Sequence, residues 1–137
     1  MTENKNSGLL KIALIIFTVV CLIYGIGYLF VPDFLVNMSG GEPVFHGWLR
    51  WSGGVLIALG VGAILVYLNP QHQGIFVITI TLGCLLSALG LLWAWIKLEE
   101  GANAWFTALP AIILVALAIL LWFGRVNAKE ILYPKKD

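Results

Sequence analysis

Four long apolar stretches dominate this sequence, and they limit its fold more than any other feature. The stretches are residues 9–31, 48–68, 75–96 and 105–123. Each is long enough to cross a bilayer as a helix, which takes about 20 apolar residues at a rise of about 1.5 Å per residue. The sequence therefore predicts an all-α protein: a transmembrane four-helix bundle with up-down topology.

The composition of the chain agrees with a membrane protein and excludes other classes. Of the 137 residues, 61% are hydrophobic and 11% are charged, whereas a soluble domain has about 45–50% apolar and about 25% charged residues. A formal net charge of +1 offers no basic surface for nucleic acid. Four spans with short loops leave no room for a soluble domain, so we predict a single membrane domain over residues 1–137.

Lys and Arg are unevenly divided between the two predicted sides of the membrane. One side holds Lys5, Lys11, Arg125, Lys129, Lys135 and Lys136. Positive residues in short loops stay on the cytoplasmic side, so we expect both termini there and a multi-pass protein of the inner (plasma) membrane. We expect the polar tail, residues 124–137, to lie on the anionic leaflet with Tyr133 as an anchor.

Proline and glycine mark the breaks between the stretches. Pro32 ends the first helix, because the residue before a proline is disfavoured in the helical conformation. Asp33 suits the start of a helix, and residues 33–38 are predicted to form one or two turns lying in the interface. The uncharged residues 69–74 predict a tight hairpin. Pro110 is expected to start or kink the last span.

Small residues recur at helical spacing in all four stretches. Such residues let the backbones of membrane helices approach closely, and short loops favour antiparallel packing of helices that follow one another in the chain. The residues to which we assign a structural role are Pro32, Asp33, Gly53, Gly54, Gly62, Gly83 and Gly90.

The polar residues inside the spans argue against catalysis and ion transport. Between the membrane interfaces there is no Asp, Glu, Lys or His, although proton relays, ion-coupled carriers and acid–base enzymes need such groups. No Cys/His cluster has metal-ligand spacing, so no metal site is predicted. The polar atoms at depth are hydroxyls and thiols, those of Thr18, Cys21, Tyr24, Tyr28, Ser52, Thr79, Thr81, Cys84 and Ser87. The two cysteines are interpreted as buried structural thiols.

Arg50 lies among aromatic residues near the predicted external interface. The tryptophans expected there are Trp48, Trp51, Trp93, Trp95 and Trp105. A guanidinium can stack on an indole ring and hold a carboxylate or phosphate. Three roles are open to Arg50: pairing with Asp33 or Glu42, reaching lipid phosphates, or binding an anionic headgroup, a quinone head or another ligand. Arg50 and these tryptophans are our candidate ligand- or lipid-binding residues.

Two motifs are similar to those of a known family. Residues 28–32 (YLFVP) close the first stretch, and residues 50–54 (RWSGG) open the second. This L-F-x-P…R-x-x-G-G pattern resembles the small DoxX-like four-helix membrane proteins over nearly the whole chain. The resemblance implies either association with quinone-linked electron-transfer complexes or no assigned activity. It implies a structural role for Pro32, Arg50, Gly53 and Gly54, and it identifies no catalytic residue.

Three functions agree with these observations. The leading hypothesis is a membrane protein without catalytic activity of its own, acting as an accessory or scaffold subunit or as a lipid-binding module. The alternatives are a quinone- or lipid-binding subunit of a membrane oxidoreductase complex, and a small-solute transporter that needs an oligomer to build a pathway. The expected partners are the lipid bilayer and a larger membrane complex or a homo-oligomer. No cofactor is predicted, and a quinone or a bound lipid is the alternative that stays open.

Overall fold

A computed structural model describes residues 7–41, 47–98 and 100–134, and every regular element in that part of the chain is a helix. The helices are α1 (Gly8–Phe30), α2 (Pro32–Ser39), α3 (Gly47–Leu68), α4 (Gly74–Ile96), α5 (Ala104–Asn127) and α6 (Lys129–Leu132). The helices α1, α3, α4 and α5 are long and apolar enough to cross a membrane. The chain is therefore a multi-pass membrane protein whose spans form a four-helix bundle.

The spans begin and end within one residue of the predicted positions, except at the end of α5. That helix continues to Asn127, past the predicted limit at residue 123. Gly124 does not end it, because Gly124 is a packing residue: an added Cβ there would stand 2.8 Å from the Cα of Leu10 on α1. The last turn of α5 is therefore held against the first turn of α1.

The short helix α2 crosses one end of the bundle, which we call the α2 end. Val31 separates α1 from α2 with a φ of −130°, and Pro32 occupies the first turn of α2. Gly40 then ends α2 with a φ of 69°. The backbone N–H of Asn103 donates to the carbonyl of Ser39 at 2.8 Å, which ties α2 to the loop before α5. The short helix predicted over residues 33–38 is thus present and lies on the bundle.

Close backbone approach joins α1 and α3 along their length. An added Cβ at Gly53 would stand 2.7 Å from the carbonyl oxygen of Gly25, and one at Gly60 would stand 3.2 Å from the Cβ of Cys21. The hydroxyl of Thr18 also donates to the carbonyl of Gly60 at 3.3 Å. The small residues of α3 that pack tightly against α1 are therefore on the face that carries Gly53 and Gly60.

The four spans do not all pack in the order in which the chain makes them. The pairs with extensive contact are α1 with α3, α4 with α5, and α1 with α5. Although α3 and α4 are joined by a tight hairpin, they diverge beyond the point where the ring of Phe76 covers Gly62. The expectation of sequential neighbours is wrong for this pair. Around the bundle the order is α3, α1, α5, α4, with the loosest contact between α4 and α3.

Three of the glycines to which we assigned a packing role pack against nothing. An added Cβ at Gly54, Gly83 or Gly90 would meet no atom within 4 Å. Gly54 lies next to Gly53 in sequence, and successive helix positions are about 100° apart around the axis, so only one of the two can face α1. Gly83 and Gly90 differ from the prediction because no helix covers the face of α4 on which each lies.

The other end of the bundle, which we call the α6 end, is closed by the C-terminal segment. Leu132 on α6 is fully buried and belongs to the same hydrophobic core as Leu10 and Leu121. The ring of Tyr133 lies directly on Gly74, the first residue of α4. The segment 124–134 therefore packs as part of the bundle, whereas the sequence led us to expect a polar tail lying on the leaflet.

Candidate functional site

A chamber of about 510 Å³ lies between the four spans. Each span contributes to its lining: α1 through Cys21 and Tyr24, α3 through Leu56, α4 through Gly83, and α5 through Ile113. Pockets that bind small molecules in proteins are typically about 300–1,000 Å³ and mostly apolar. The chamber is therefore large enough for a ligand, and it is the feature around which we build the site.

The chamber follows from the packing order of the spans. The close contacts of α3 are with α1, and those of α4 are with α5, so nothing pulls α3 and α4 together beyond the hairpin. The face of α4 that turns toward the chamber carries Gly83 and Ser87. Small side chains at these positions leave the space between α4 and α3 unfilled. An open region between the two helix pairs is the result.

The lining of the chamber carries no formal charge. Among the residues that the structure describes, no Asp, Glu, Lys, Arg or His lines it. Burying an unpaired charge in a site of this kind is strongly unfavourable, and nothing here would neutralise a charged guest. The chamber can therefore accept an uncharged, mostly apolar molecule.

Hydroxyl groups collect in the half of the chamber nearest the α2 end. Tyr24, Tyr28, Ser87 and Thr107 all line the chamber. At about 1.5 Å per residue, Tyr28, Thr107 and Tyr24 lie about 3–9 Å from the α2 ends of their helices, and Ser87 lies about 14 Å from its own. The other half is lined by side chains such as those of Phe17 and Ile80. The chamber thus has one polar half and one apolar half.

These four hydroxyls differ in their hydrogen bonding from the hydroxyls of the other serines and threonines in the spans. Thr18, Ser52, Thr79 and Thr81 each donate to a backbone carbonyl, at distances from 2.7 to 3.3 Å. Within the described residues, the hydroxyls of Tyr24, Tyr28, Ser87 and Thr107 form no hydrogen bond to protein. The rings of Tyr24 and Tyr28 contact each other, with centroids 5.9 Å apart. The chamber therefore presents a group of polar atoms that are available to a guest.

Pro110 adds a backbone acceptor to the same region. The sequence predicted that Pro110 starts or kinks the last span. The structure places it inside α5 and not at the start of the helix. Because proline has no N–H, the carbonyl of Phe106 loses its usual donor four residues later. Phe106 and Pro110 both line the chamber. A span tolerates such a proline when the freed carbonyl finds another partner.

The two cysteines meet at the chamber. Cys21 on α1 and Cys84 on α4 both line it, and both are free thiols. The sequence left open whether the first and third spans bring them near each other. The structure places the two side chains on the same chamber, near the middle of the bundle, and both belong to the buried core.

The candidate residues predicted from the sequence lie elsewhere. Arg50 is exposed on α3, and none of the six predicted ligand-binding residues lines the chamber. The exposed fractions of the tryptophan side chains are 59% for Trp48, 73% for Trp51, 66% for Trp93, 47% for Trp95 and 73% for Trp105. The indoles point away from the bundle at the α2 end, as an aromatic belt does. Binding of a lipid or ligand by Arg50 stays a prediction.

The three roles considered for Arg50 stay open as well. Asp33 is exposed in the first turn of α2, and the other suggested partner, Glu42, lies outside the described residues. The predicted absence of a metal site was not contradicted: within the described ranges, no group of three or more His, Cys, Asp or Glu side chains could hold a metal ion. His46 is not among those residues.

The sequence contains a signal for the chamber that we did not use. On α1 the lining residues Phe17, Cys21, Tyr24 and Tyr28 recur every three or four positions, which places them on one helical face. A single face of a span that carries thiols and hydroxyls indicates a lined cavity. Thr107 was missed because it lies in the first turn of the last span, next to the aromatic residues.

Comparisons with models of known protein families, with curated proteins and with solved structures found no match to this chain. The DoxX-like resemblance therefore stays a prediction.

Proposed function

We propose that this protein binds one uncharged, membrane-dissolved molecule in the chamber and acts as a lipid-binding accessory module without catalytic activity of its own. The observation that carries the proposal is the chamber itself, about 510 Å³ between four membrane spans, in which none of the described lining residues is charged. A molecule already dissolved in the bilayer can reach it between α3 and α4, where the helices have the loosest contact.

The lining supports binding better than catalysis. Acid–base catalysis commonly uses His, Asp, Glu or Lys, and the described residues that line the chamber include none of these. The distribution of Lys and Arg supports the inner (plasma) membrane as the location, with both termini in the cytoplasm. Accessory function in a larger complex, which the DoxX-like resemblance implies, is part of the same proposal.

A quinone-binding subunit of an oxidoreductase complex is the second candidate. The available hydroxyls of Tyr24, Tyr28 and Ser87 favour it over a purely structural protein, because they could bind the carbonyl oxygens of a quinone ring. No part of the chamber lining suggests a redox centre of the chain itself. Electron transfer would therefore depend on a partner subunit.

The test is native mass spectrometry of the full chain, extracted in a mild detergent. Gly83→Leu narrows the chamber, since a side chain added at Gly83 meets no atom within 4 Å and Gly83 lines the space. Gly90→Leu is the matched control, because it makes the same change seven residues further along α4, also in open space but outside the chamber lining. Circular dichroism should show both variants to be helical.

We expect the wild-type protein and Gly90→Leu to carry about one lipid per chain, and Gly83→Leu to lose it. Equal lipid content in all three proteins would overturn the proposal. Co-purification of defined partner subunits with all three would support the accessory role and identify the complex.

A further inference from the structure

We infer that the α2 half of the chamber recognises the head of its guest, and that this head is uncharged and carries carbonyl oxygens. This rests on the proposed function, because it specifies the ligand of the same chamber. The carrying observation is the set of hydroxyls of Tyr24, Tyr28, Ser87 and Thr107, which come from three helices and have no protein hydrogen bond in the described chain.

Hydroxyl groups inside a membrane protein normally form a hydrogen bond to another group of the protein. A polar group without a partner in hydrocarbon is unfavourable, and Ser or Thr in a helix has a carbonyl four residues earlier within reach. Thr79 and Thr81 on α4 use that carbonyl, at 3.0 and 2.7 Å. Ser87 lies on the same helix and lines the chamber, as Thr79 does, but its hydroxyl forms no such bond. Its hydroxyl is therefore directed to the chamber and is available to a guest.

The tyrosines provide the stronger donors of the set. A buried tyrosine hydroxyl usually finds a partner, yet those of Tyr24 and Tyr28 have none in the described protein, while their rings contact each other. The two residues are four positions apart on α1, so both hydroxyls project from one face. A pair of donors on one face matches two acceptor oxygens of one head group.

The remaining lining fixes the class of molecule. No Lys, Arg or His lines the chamber in the part of the chain that the structure describes. This argues against a phosphate or carboxylate head, because such a head would need a cation beside it. The apolar half around Phe17, Ile80 and Leu59 receives a hydrocarbon chain. The head then lies near the α2 end, and the chain extends toward the middle of the bundle and the gap between α3 and α4. Acyl esters and prenyl quinones both have this chemistry.

The experiment titrates delipidated full-length protein in detergent with four probes and measures bound probe by native mass spectrometry. The probes are 1-oleoylglycerol, its phosphate ester 1-oleoyl lysophosphatidic acid, the hydrocarbon 1-octadecene, and a benzoquinone with a short prenyl tail. The first two probes differ only in the charged phosphate. The hydrocarbon lacks an acceptor, and the quinone separates the two sources of carbonyl oxygen.

We expect 1-oleoylglycerol or the quinone to bind most tightly. The tighter of the two shows whether the carbonyl oxygens of the natural guest belong to an acyl ester or to a quinone. Tyr24→Phe and Tyr28→Phe should each weaken that probe by about 2- to 10-fold, the effect of losing one hydrogen bond, and leave 1-octadecene unchanged. Ser52→Ala is the control, because Ser52 lies outside the chamber and its hydroxyl is bonded to the Trp48 carbonyl at 2.8 Å.

Two results would overturn the inference while leaving the proposed function intact. One is equal affinity for 1-octadecene and 1-oleoylglycerol, and the other is tighter binding of the phosphate ester than of 1-oleoylglycerol. In both cases Gly83→Leu would have to abolish the binding. Unchanged affinity in both tyrosine variants would have the same meaning. If Gly83→Leu binds every probe as the wild-type protein does, the chamber is not the site, and the proposed function itself fails.

Discussion

Gly53 of α3 lies so close to Gly25 of α1 that an added Cβ at position 53 would stand 2.7 Å from the Gly25 carbonyl oxygen and 2.8 Å from the Leu29 nitrogen. Both of those atoms belong to the backbone of α1, which cannot rotate away as a side chain does. This contact fixes the distance between α1 and α3, and the first prediction tests it.

Gly53→Ala is expected to lower the free energy of unfolding by about 1–3 kcal/mol, the usual effect of forcing extra atoms into a packed interface. The neighbouring Gly54→Ala is the control. It adds the same methyl group where no atom lies within 4 Å, and it replaces glycine with a better helix former. Thermal unfolding in detergent, followed by circular dichroism, would compare the two. A larger loss for Gly54→Ala would contradict the α1–α3 packing.

The C-terminal segment gives the second prediction. Leu132 is fully buried in the bundle core, so Leu132→Ala should destabilise the protein by about 2–5 kcal/mol through lost burial and the cavity left behind. Glu130→Ala, two residues earlier on the exposed side of α6, should change stability little. The same unfolding measurement applies. If both variants unfold like the wild-type protein, α6 does not pack on the bundle.

The third prediction uses the native thiols as reporters of the chamber. Because Cys21 and Cys84 line it, benzyl methanethiosulfonate should leave a benzylthio group in the chamber and reduce binding of 1-oleoylglycerol or the short-chain quinone, whichever the wild-type protein holds. The double variant Cys21→Ala/Cys84→Ala should bind that probe with or without the reagent. Native mass spectrometry reports both the labelling and the bound probe. Full labelling with undiminished binding would place the ligand elsewhere.

The fourth prediction concerns pH and salt. No described side chain that titrates between about pH 5 and about pH 8 lines the chamber. Binding of the neutral probe should therefore be constant over that range and insensitive to ionic strength, because no charge pair is present for salt to screen. Affinities measured at several pH and salt values would check this. A step in affinity with pH would indicate a titratable group at the binding site, and the site would then not be an uncharged chamber.

Much of the fold could be predicted from the sequence because the controlling signals are local. A run of about 20 apolar residues must be helical in lipid, since only then are its backbone groups satisfied. Pro32 and the breaker residues 69–74 fixed where helices end. These signals depend on residues near one another in the chain, so the span limits were predicted nearly to the residue.

The packing order of the spans depends on which face of each helix meets which partner, and adjacent small residues leave that undecided. Gly53 and Gly54 are chemically identical, yet Gly53 is buried against α1 and Gly54 is exposed. The stripe through Gly83 suggested a helix interface and instead lines a chamber. A small residue permits close approach without requiring it, and the sequence does not distinguish the two outcomes.

The candidate site was harder to predict than the fold for a related reason. Attention went to Arg50 and the tryptophans because charge and aromatic rings are conspicuous in an apolar chain. The residues that line the chamber are ordinary for a membrane span, and what distinguishes Tyr24 or Ser87 is a missing partner. That property belongs to the assembled bundle, so only the structure could show it.

Leu132 leaves the ribosome after all four spans, yet it completes the core around Leu10 in the first of them. During translation α1 can pair with α3 as soon as α3 is inserted, since the two are joined by a short connection. The α4–α5 hairpin follows, and α6 is the last element to join the core around Leu10. Until then one face of α1 is covered by lipid or by the insertion machinery. Lipid trapped between the hairpins as they close would occupy the chamber from the moment of assembly.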